Sequence, residues 1–398
     1  MTGGSRPLEG ILVADLSRIL AGPLVTQTLA ELGATVVKVE HPAGGDDTRS
    51  WGPPFRGDTA TYFSAVNKGK LSVALDLKDD GDLELARRLS GQADVLVENF
   101  RPGVMARLGL GYDEVSATNP GVVYCSISGF GQEGSGAGLP GIDLLIQAMA
   151  GWMHVTGHPD GPPTKVGMAA SDVVAGLFAS TGILAALHER ERTGVGRHVQ
   201  VSLFESALAG LVNLASGYLG AGSDHHRDGN RHPSIAPYEP VMAEDRHFVL
   251  AAANDRLFVR TCEVIGRPDM IDDPRFATNA DRRRNVESLV AELEAVFATR
   301  PAAEWIVDLR AAGVPVGEIN TVAEAFALAE RLGIEATSEL GDGTRGVRSP
   351  IRFGPAPSPP VGAPPPLDGS GEEIRRILGS GRPLLIALQQ HPDHSAGR

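Results

Sequence analysis

The sequence predicts an α/β fold: a larger domain built on a parallel, doubly wound sheet, followed by a smaller α+β domain. Three observations carry this. Short apolar runs alternate with helical periodicity through the first 220 residues, the pattern of strand–helix–strand crossovers and so of parallel pairing. Composition then shifts at residues 220–237 towards Gly, Asp, His, Arg and Pro. Finally, 398 residues exceed what one ordinary core accommodates, so two domains are the default.

Residues 10–16 form an apolar strand run, residues 23–32 a helix and residues 34–40 a second strand. Residues 71–77 read as a strand, 82–89 as a helix and 93–97 as a strand; Arg101-Pro-Gly-Val then opens a short helix, and 122–127 is another strand. A long helix follows Asp172, where Val173, Leu177, Leu184 and Leu187 predict one buried face. Residues 197–203 give a strand and 204–219 a helix. After the composition shift come a strand at 247–253 and helices at 257–265, 286–299 and 302–312. The proline-rich stretch 354–366 reads as an extended linker or surface arm. The expected organisation is 1–220 for the first part of the large domain, 221–330 for the small domain, and 331–398 for a return segment completing the large one. No solenoid-period repeat is present.

Hydrophobic residues at 42% and charged residues at 21% are ordinary for a soluble protein. A net charge of −13 argues against nucleic acid or an anionic membrane as partner, while leaving room for a local basic pocket for a phosphorylated ligand. Two cysteines, Cys125 and Cys262, make no disulfide framework and fit a reducing compartment. The N-terminus has no apolar leader core, and no run approaches the ~18 apolar residues of a membrane span. A cytoplasmic location is expected.

The most informative residue is Asp172, in Lys165-Val-Gly-Met-Ala-Ala-Ser-Asp172. It is placed as the N-cap or first residue of a long helix, where free N–H groups and the positive dipole end would hold it ionised. Gly167, Ala169, Ala170, Ser171 and Gly176 leave space around it. An accessible, pre-positioned carboxylate suits covalent catalysis, although helix capping alone would also explain it. Gly129-Phe-Gly131-Gln-Glu-Gly134 matches a dinucleotide fingerprint, but the loop-forming Ser-Gly-Ala-Gly-Leu-Pro-Gly141 follows where a helix should begin. These glycines read instead as a loop over a site or an inert surface loop. His225, His226 and His232, with Asp224 and Asp228, show no metal-ligand spacing and read as a solvated linker; His391 and His394 lie in a polar tail. No metal site is expected. No Gly-x-Ser-x-Gly elbow or Walker motif occurs, and neither cysteine has a catalytic setting. Lys70, Lys78, Arg101 and Arg107 lie at or just beyond strand ends, where ligands of open α/β sheets bind; beside Asn99 and Phe100 they suggest a phosphate site.

Many stretches, in order, carry a resemblance: Leu8-Glu-Gly-Ile-Leu-Val-Ala-Asp-Leu-Ser, Ala21-Gly-Pro23, Leu32-Gly-Ala-Thr-Val-Val-Lys-Val-Glu-His-Pro42, Gly45-Asp-Asp-Thr-Arg49, Leu75-Asp-Leu-Lys78, Asp94-Val-Leu-Val-Glu-Asn-Phe-Arg-Pro-Gly103, Ser128-Gly-Phe-Gly131, Thr193-Gly-Val-Gly-Arg197, His232-Pro-Ser-Ile-Ala-Pro-Tyr238 and Asp272-Asp-Pro-Arg-Phe276. The chain resembles the family III coenzyme A transferases, which include formyl-CoA transferase, carnitine CoA-transferase and, as a divergent branch, α-methylacyl-CoA racemase.

The resemblance implies a Rossmann-like large domain and an interlocked homodimer. It matches Asp172 to an aspartate nucleophile that carries first a mixed anhydride and then an aspartyl-CoA thioester. It implies no permanently bound cofactor, with coenzyme A and acyl-CoA as substrates and a carboxylic acid as acceptor. CoA contacts fall on Ile19, Leu20, Ala21, His41, Leu75, Asp76, Lys78, Asn99, Phe100, Arg101 and Arg107. Gly129, Gly131, Gly134 and Asp143 would belong to an active-site loop. Leu20 stands where formyl-CoA transferase has a glutamine, and that enzyme's glycine-rich small-domain loop has no clear counterpart; both argue against a formyl/oxalate pair. The small domain leans towards short dicarboxylic donors such as succinyl-CoA. The racemase branch places a histidine before an aspartate where this chain reads Gly141-Ile142-Asp143, so one acid/base partner is missing, with His154 and His158 the nearest replacements in sequence. An acyl-CoA racemase or epimerase and a catalytically silent CoA-binding protein are the alternatives.

Overall fold

A computed structural model describes residues 6–354 and 361–390. His391, His394 and the central part of the 354–366 arm lie outside the described residues. The chain divides into two compact units. One comprises residues up to Trp152, Lys165–Ser223 and Glu335 onwards; the other comprises Met153–Thr164 and Asp224–Ile334.

The first unit is built on six parallel strands: β1 (Leu12–Asp15), β2 (Thr35–Glu40), β3 (Leu71–Ala74), β4 (Val95–Glu98), β5 (Val123–Ser128) and β6 (His198–Ser202). Their order is β3-β2-β1-β4-β5-β6, so the chain reverses direction across the sheet between β1 and β4. In doubly wound sheets, ligands bind beyond the carboxyl ends of the strands at that reversal. All six strands fall on the apolar runs read from the sequence. The central strands β1, β2, β4 and β5 are buried almost throughout, whereas the edge strand β6 is only partly buried and exposes Gln200.

One face is covered by helices α1 (Ala21–Glu31), α2 (Asp143–Met149), α3 (Ala170–Thr193) and α4 (Leu203–Gly210). The other is covered by the helices Asp80–Gln92, Gly371–Gly379 and Leu384–Gln389. The free edge of β3 is blunted by the returning chain: Gly69 donates to the Gly362 carbonyl (2.9 Å), Ala74 donates to Asp368 (2.7 Å) and Ser370 donates to the Ser72 carbonyl (3.0 Å). The described end of the proline-rich arm therefore closes a sheet edge rather than standing off the surface.

Helix α3 corrects two expectations. Leu177 is 58% exposed and Leu184 37% exposed, while the buried stripe is Ala175, Gly176, Ala179, Ser180, Ile183, Ala186 and Leu187. Small residues win this face because the backbones approach closely: a Cβ on Gly176 would lie 3.2 Å from the Ala21 carbonyl oxygen, and one on Gly182 2.7 Å from Val199. Helix α3 is also long and apolar enough to cross a bilayer by length and composition, contrary to the sequence reading, with a mean hydropathy of 1.6. Half of that stretch is buried inside the protein, as in a core helix of a globular domain.

The single helix expected over 204–219 is two, α4 and Asn213–Ala221, broken where Val212 takes φ 45°. The Trp152 indole donates to the Ala207 carbonyl (2.8 Å), removing an acceptor that the next helical turn would use.

The second unit carries a three-stranded antiparallel sheet of Tyr238–Met242, His247–Ala251 and Val316–Glu318, with the middle segment central. Helices Asp255–Val264, Val286–Phe297 and Ala302–Ala311 pack around Phe248, Phe258, Phe297 and Trp305. The polar segment expected to be a solvated linker packs here. His226 Nδ1 lies 3.1 Å from His154 Nε2, Asp228 pairs with Arg283 at 3.1 Å, and the His232 ring meets Tyr238 edge-on.

Candidate active site

The residues expected to contact CoA gather along the carboxyl ends of four adjacent strands. Leu75–Lys78 follows β3, His41 follows β2, Ile19–Ala21 follows β1 and Asn99–Arg101 follows β4, with Arg107 in the short helix Val104–Arg107. Lys78, Arg101 and Arg107 are exposed, and none forms an ion pair among the described residues. Three free cations at this edge form an electropositive rim able to meet phosphates. His41 lies 3.8 Å from Asp76, whose carboxylate also accepts from the Lys78 amide (3.0 Å) and shapes that turn.

Several of the residues read as ligands have other work. Lys70 is corrected: its side chain is fully buried, 3.0 Å from Asp15, and donates to the Pro23 carbonyl and to Asn67. It cannot reach a bound phosphate. Leu75 and Ala21 are buried, so their side chains are not exposed to a ligand. Both ends of the Asn99 amide are spent on one residue, accepting from the Arg18 amide (2.8 Å) and donating to the Arg18 carbonyl (2.7 Å). The Arg18 guanidinium lies over the Phe100 ring at 5.1 Å.

Asp172 is the third residue of α3, not its cap; the capping position is Ala169, which has no side-chain acceptor. The cap comes from another helix. Asp143, first residue of α2, accepts from the Ser171 amide (3.0 Å) and hydroxyl (2.7 Å). One turn on, Gln147 donates to Asp143 (2.8 Å) and accepts from the Val166 amide (2.8 Å). Asp143 and Gln147 thus fix the entry to α3 and, through it, the position of Asp172.

Three donors converge on Asp143, whereas Asp172 accepts no hydrogen bond among the described residues. Burial and the adjacent Asp143 charge push the Asp172 carboxyl up to about 7. The expectation that the helix end holds it firmly ionised is overturned: burial and then the Asp143 charge favour the protonated form, and the Ser171 amide is taken by Asp143. Asp172 is half-buried and basic for an aspartate, with lone pairs free to attack. Gly176, one turn along α3, lies against Ala21, which ties this carboxylate to the crevice end of α1.

Tyr62 was not legible as a site residue. Burial, then the charges of Asp172, Asp143 and Asp46, push its phenol up, and it meets Trp51 edge-to-face at 5.6 Å. In the glycine loop, Gly129 and Gly141 pass back to back: a Cβ on Gly129 would lie 2.5 Å from the Gly141 Cα. That contact pins both ends of the intervening loop immediately before Asp143, and Gly131 donates to the Ser128 hydroxyl (3.0 Å). Beside Arg101 a polar cavity is floored by Glu98, Ser126, His198 and Gln200, with the Ser126 hydroxyl 2.9 Å from His198. Among the described residues no group of three or more His, Cys, Asp or Glu could hold a metal ion. Both cysteines are buried, and burial pushes both thiols up, Cys262 to about 12.

The model of CoA-transferase family III matches residues 8–371, and the chain belongs to that family. It is 48% identical over 320 residues to an acetyl-CoA:oxalate CoA-transferase of Acetobacter aceti, covering 80% of this chain and 82% of that protein. It is 39% identical over 382 residues to a succinyl-CoA:glutarate CoA-transferase of Mus musculus, covering 94% and 86%. A crystal structure of a CaiB/BaiF family protein from Brucella suis superposes with a TM-score of 0.85 at 41% identity, covering 94% of this chain and all of that one. The protein is a CoA-transferase acting on acyl-CoA.

Proposed function

We propose that this enzyme moves CoA from a short acyl-CoA thioester to a short dicarboxylic acid, with Asp172 as covalent nucleophile. The carrying observation is the half-buried Asp172 carboxyl, which accepts no hydrogen bond among the described residues and is raised to about 7 beside an Asp143 that accepts three. An Asp172 oxygen attacks the thioester carbonyl and expels the CoA thiolate, leaving a mixed anhydride. The thiolate attacks the aspartyl carbonyl, releasing the donor acid and leaving an aspartyl-CoA thioester. The acceptor carboxylate attacks that thioester, expelling the thiolate again. The thiolate then attacks the acceptor carbonyl, giving the new acyl-CoA and free Asp172. One thioester replaces another, so the exchange calls for no ATP and no permanently bound cofactor.

Lys78, Arg101 and Arg107 are assigned to the phosphates of CoA, with His41 at the nucleotide end and the main chain at Ile19–Ala21 and Leu75–Lys78 along the ligand. Phe100 offers an apolar surface, and Asn99 acts through Arg18. Among the relatives, one name specifies oxalate as acceptor and another glutarate. Leu20 argues against a formyl/oxalate pair and not against oxalate with another donor; short dicarboxylates are the acceptor class that both names support. The assembly proposed is an interlocked homodimer. Its support is apolar surface on the first unit, where Leu177, Phe178, Leu208, Val212 and Leu219 are exposed. A cytoplasmic location is proposed from the two buried free thiols.

The test is a mass-spectrometric screen of acetyl-CoA and succinyl-CoA against oxalate, succinate and glutarate. Formation of the acceptor's CoA thioester without ATP is expected. Transfer to monocarboxylic acids alone would overturn the acceptor class, and CoA binding with no transfer to any acid would favour a silent binding protein.

A further inference from the structure

The turn after β1 carries an unusual backbone. Ile19 sits at φ 72°, in the left-handed region where a β-branched side chain collides with its own main chain. Glycine would take that conformation freely, yet isoleucine occupies it.

The surroundings explain how it is held. Ser17 donates through its amide to Asp15 (3.0 Å), and its carbonyl accepts from Lys38 (2.8 Å). The Arg18 amide and carbonyl are both taken by Asn99. The Ile19 amide donates to both oxygens of Asp46, at 3.3 and 3.2 Å. Side chains from β1, β2, the loop after β2 and the segment after β4 therefore hold three consecutive residues. Asp46 is itself fixed by Lys38 at 3.0 Å, with both side chains fully buried, and by the Thr48 amide (3.0 Å) and hydroxyl (2.7 Å). A buried ion pair of this kind is a poor source of net stability, because desolvation offsets its attraction. It is a good source of geometry.

We infer that Asp46, backed by Lys38, is a positioning residue that forces Ile19 into the left-handed conformation and so presents the Ile19–Ala21 main chain to acyl-CoA. This rests on the proposed CoA-transferase reading for the ligand, but not for the turn. Strain of this kind persists only where the surrounding structure over-determines it, and it concentrates at ligand clamps. Without the Asp46 acceptor, Ile19 relaxes to negative φ and the amides that follow it swing away from the crevice.

Three variants test this: Asp46→Ala, Asp46→Ala with Ile19→Gly, and Lys38→Met with Asp46→Leu. The last removes both charges together, so no unpaired lysine is stranded if the single variant folds poorly. Hydrogen exchange at the Ile19 amide reads the turn independently of catalysis, and KM for acyl-CoA against kcat reads its use. Loss of the Asp46 carboxylate should deprotect the Ile19 amide and raise KM about tenfold, equivalent to about 1.4 kcal/mol, with kcat changed less. Adding Ile19→Gly to Asp46→Ala should recover most of that KM, since glycine adopts the turn without restraint; a merely structural role for Asp46 makes the added glycine a further loss. Unchanged exchange in both variants that keep Ile19, or deprotection with unchanged KM, would overturn the proposal and leave the transferase reading standing. A wild-type enzyme that transfers no CoA would fail that reading, with the exchange data still judging the turn.

Discussion

Asp143 and Asp172 meet at the start of one helix, and only Asp143 takes that helix's hydrogen bonds. It accepts from the Ser171 amide and hydroxyl, while Asp172, the next residue along α3, accepts none among the described residues. Two carboxylates close enough to feel each other's charge cannot both be comfortable as anions unless donors are shared between them. Here they are not shared, and Asp172 bears the cost as a carboxyl raised to about 7. Basicity unusual for an aspartate follows first from burial and then from the Asp143 charge beside it.

If Asp172 carries the acyl group and then CoA, Asp172→Ala should abolish transfer, by at least about a thousandfold as for loss of a nucleophile, while leaving the Kd for CoA within a few-fold. Incubation with acyl-CoA followed by hydroxylamine should convert Asp172 to a hydroxamate, located by peptide mass spectrometry. Modification elsewhere, with Asp172 untouched, would remove it from the mechanism.

The pH dependence has a definite sign. The native Asp172 carboxyl binds its proton more tightly than in the unfolded chain, about 7 against the ordinary 3.8. Between those values the folded state holds the extra proton, so this residue's contribution to stability is full below the unfolded value. It is lost as pH rises through about 7. Asp172→Asn should therefore gain melting temperature relative to wild type as pH increases from about 5 to about 8, and the difference should level off above that range. A difference that shrinks with rising pH would contradict the assigned direction.

Removing the neighbouring charge should undo the shift. Asp143→Asn keeps an oxygen that can accept from Ser171 but removes the anion beside Asp172, making deprotonation easier. The rising limb of kcat/KM for the free enzyme, expected near 7 in wild type, should move to lower pH. Asp143→Ala removes the cap as well and should cost roughly 1 kcal/mol of stability, the usual scale for a lost N-cap. An unmoved limb in Asp143→Asn would mean that burial alone sets the Asp172 pKa.

The central strands were legible because they are buried on both faces and so read as apolar runs, and the partly buried edge strand β6 from its alternating Val199 and Val201. Parallel pairing followed from the crossovers between them, while the strand order came from the structure. Helix α3 was found, but its buried face was misassigned, since periodicity counts large apolar residues while this seam is chosen for smallness at Gly176 and Gly182. Asp172 was legible from its small neighbours and its place at a helix start. Its protonation was not, because the decisive partner, Asp143, lies 29 positions earlier and acts through Ser171. Lys70 looked like a phosphate ligand for a related reason: nothing local to it reveals the buried Asp15 that claims it. Gln147 and Asp46 carried no signal, since each works by bonding main-chain amides distant in sequence.

Assembly gives a further expectation. Leu177 and Phe178 of α3, Leu208 of α4, and Val212 and Leu219 beyond it leave apolar surface that two-fold pairing would bury. Light scattering should give twice the 41.7 kDa chain mass at low micromolar concentration, with no dissociation on dilution short of unfolding. Leu177→Glu with Leu219→Glu should impair assembly and activity together. An active monomer would overturn the interlocked homodimer.

The last expectation separates CoA transfer from racemisation within the same family. Moving a proton at the carbon beside the thioester needs an acid and a base, one on each face of that carbon. Asp172 can serve as one. The position before Asp143 is Ile142, whose side chain holds no proton, and Asp143 is committed to Ser171 and Gln147. With one partner missing, a 2-methylacyl-CoA incubated with enzyme in deuterated water should take up deuterium at least about a hundredfold more slowly than CoA is transferred, the scale of a lost general acid or base. Mass spectrometry of recovered thioester follows both rates in one sample. Ile142→His should raise the exchange without improving transfer. Rapid exchange in the wild type, abolished by His154→Ala or His158→Ala, would show that a histidine supplies the second proton, and would replace the transferase mechanism with a racemase one.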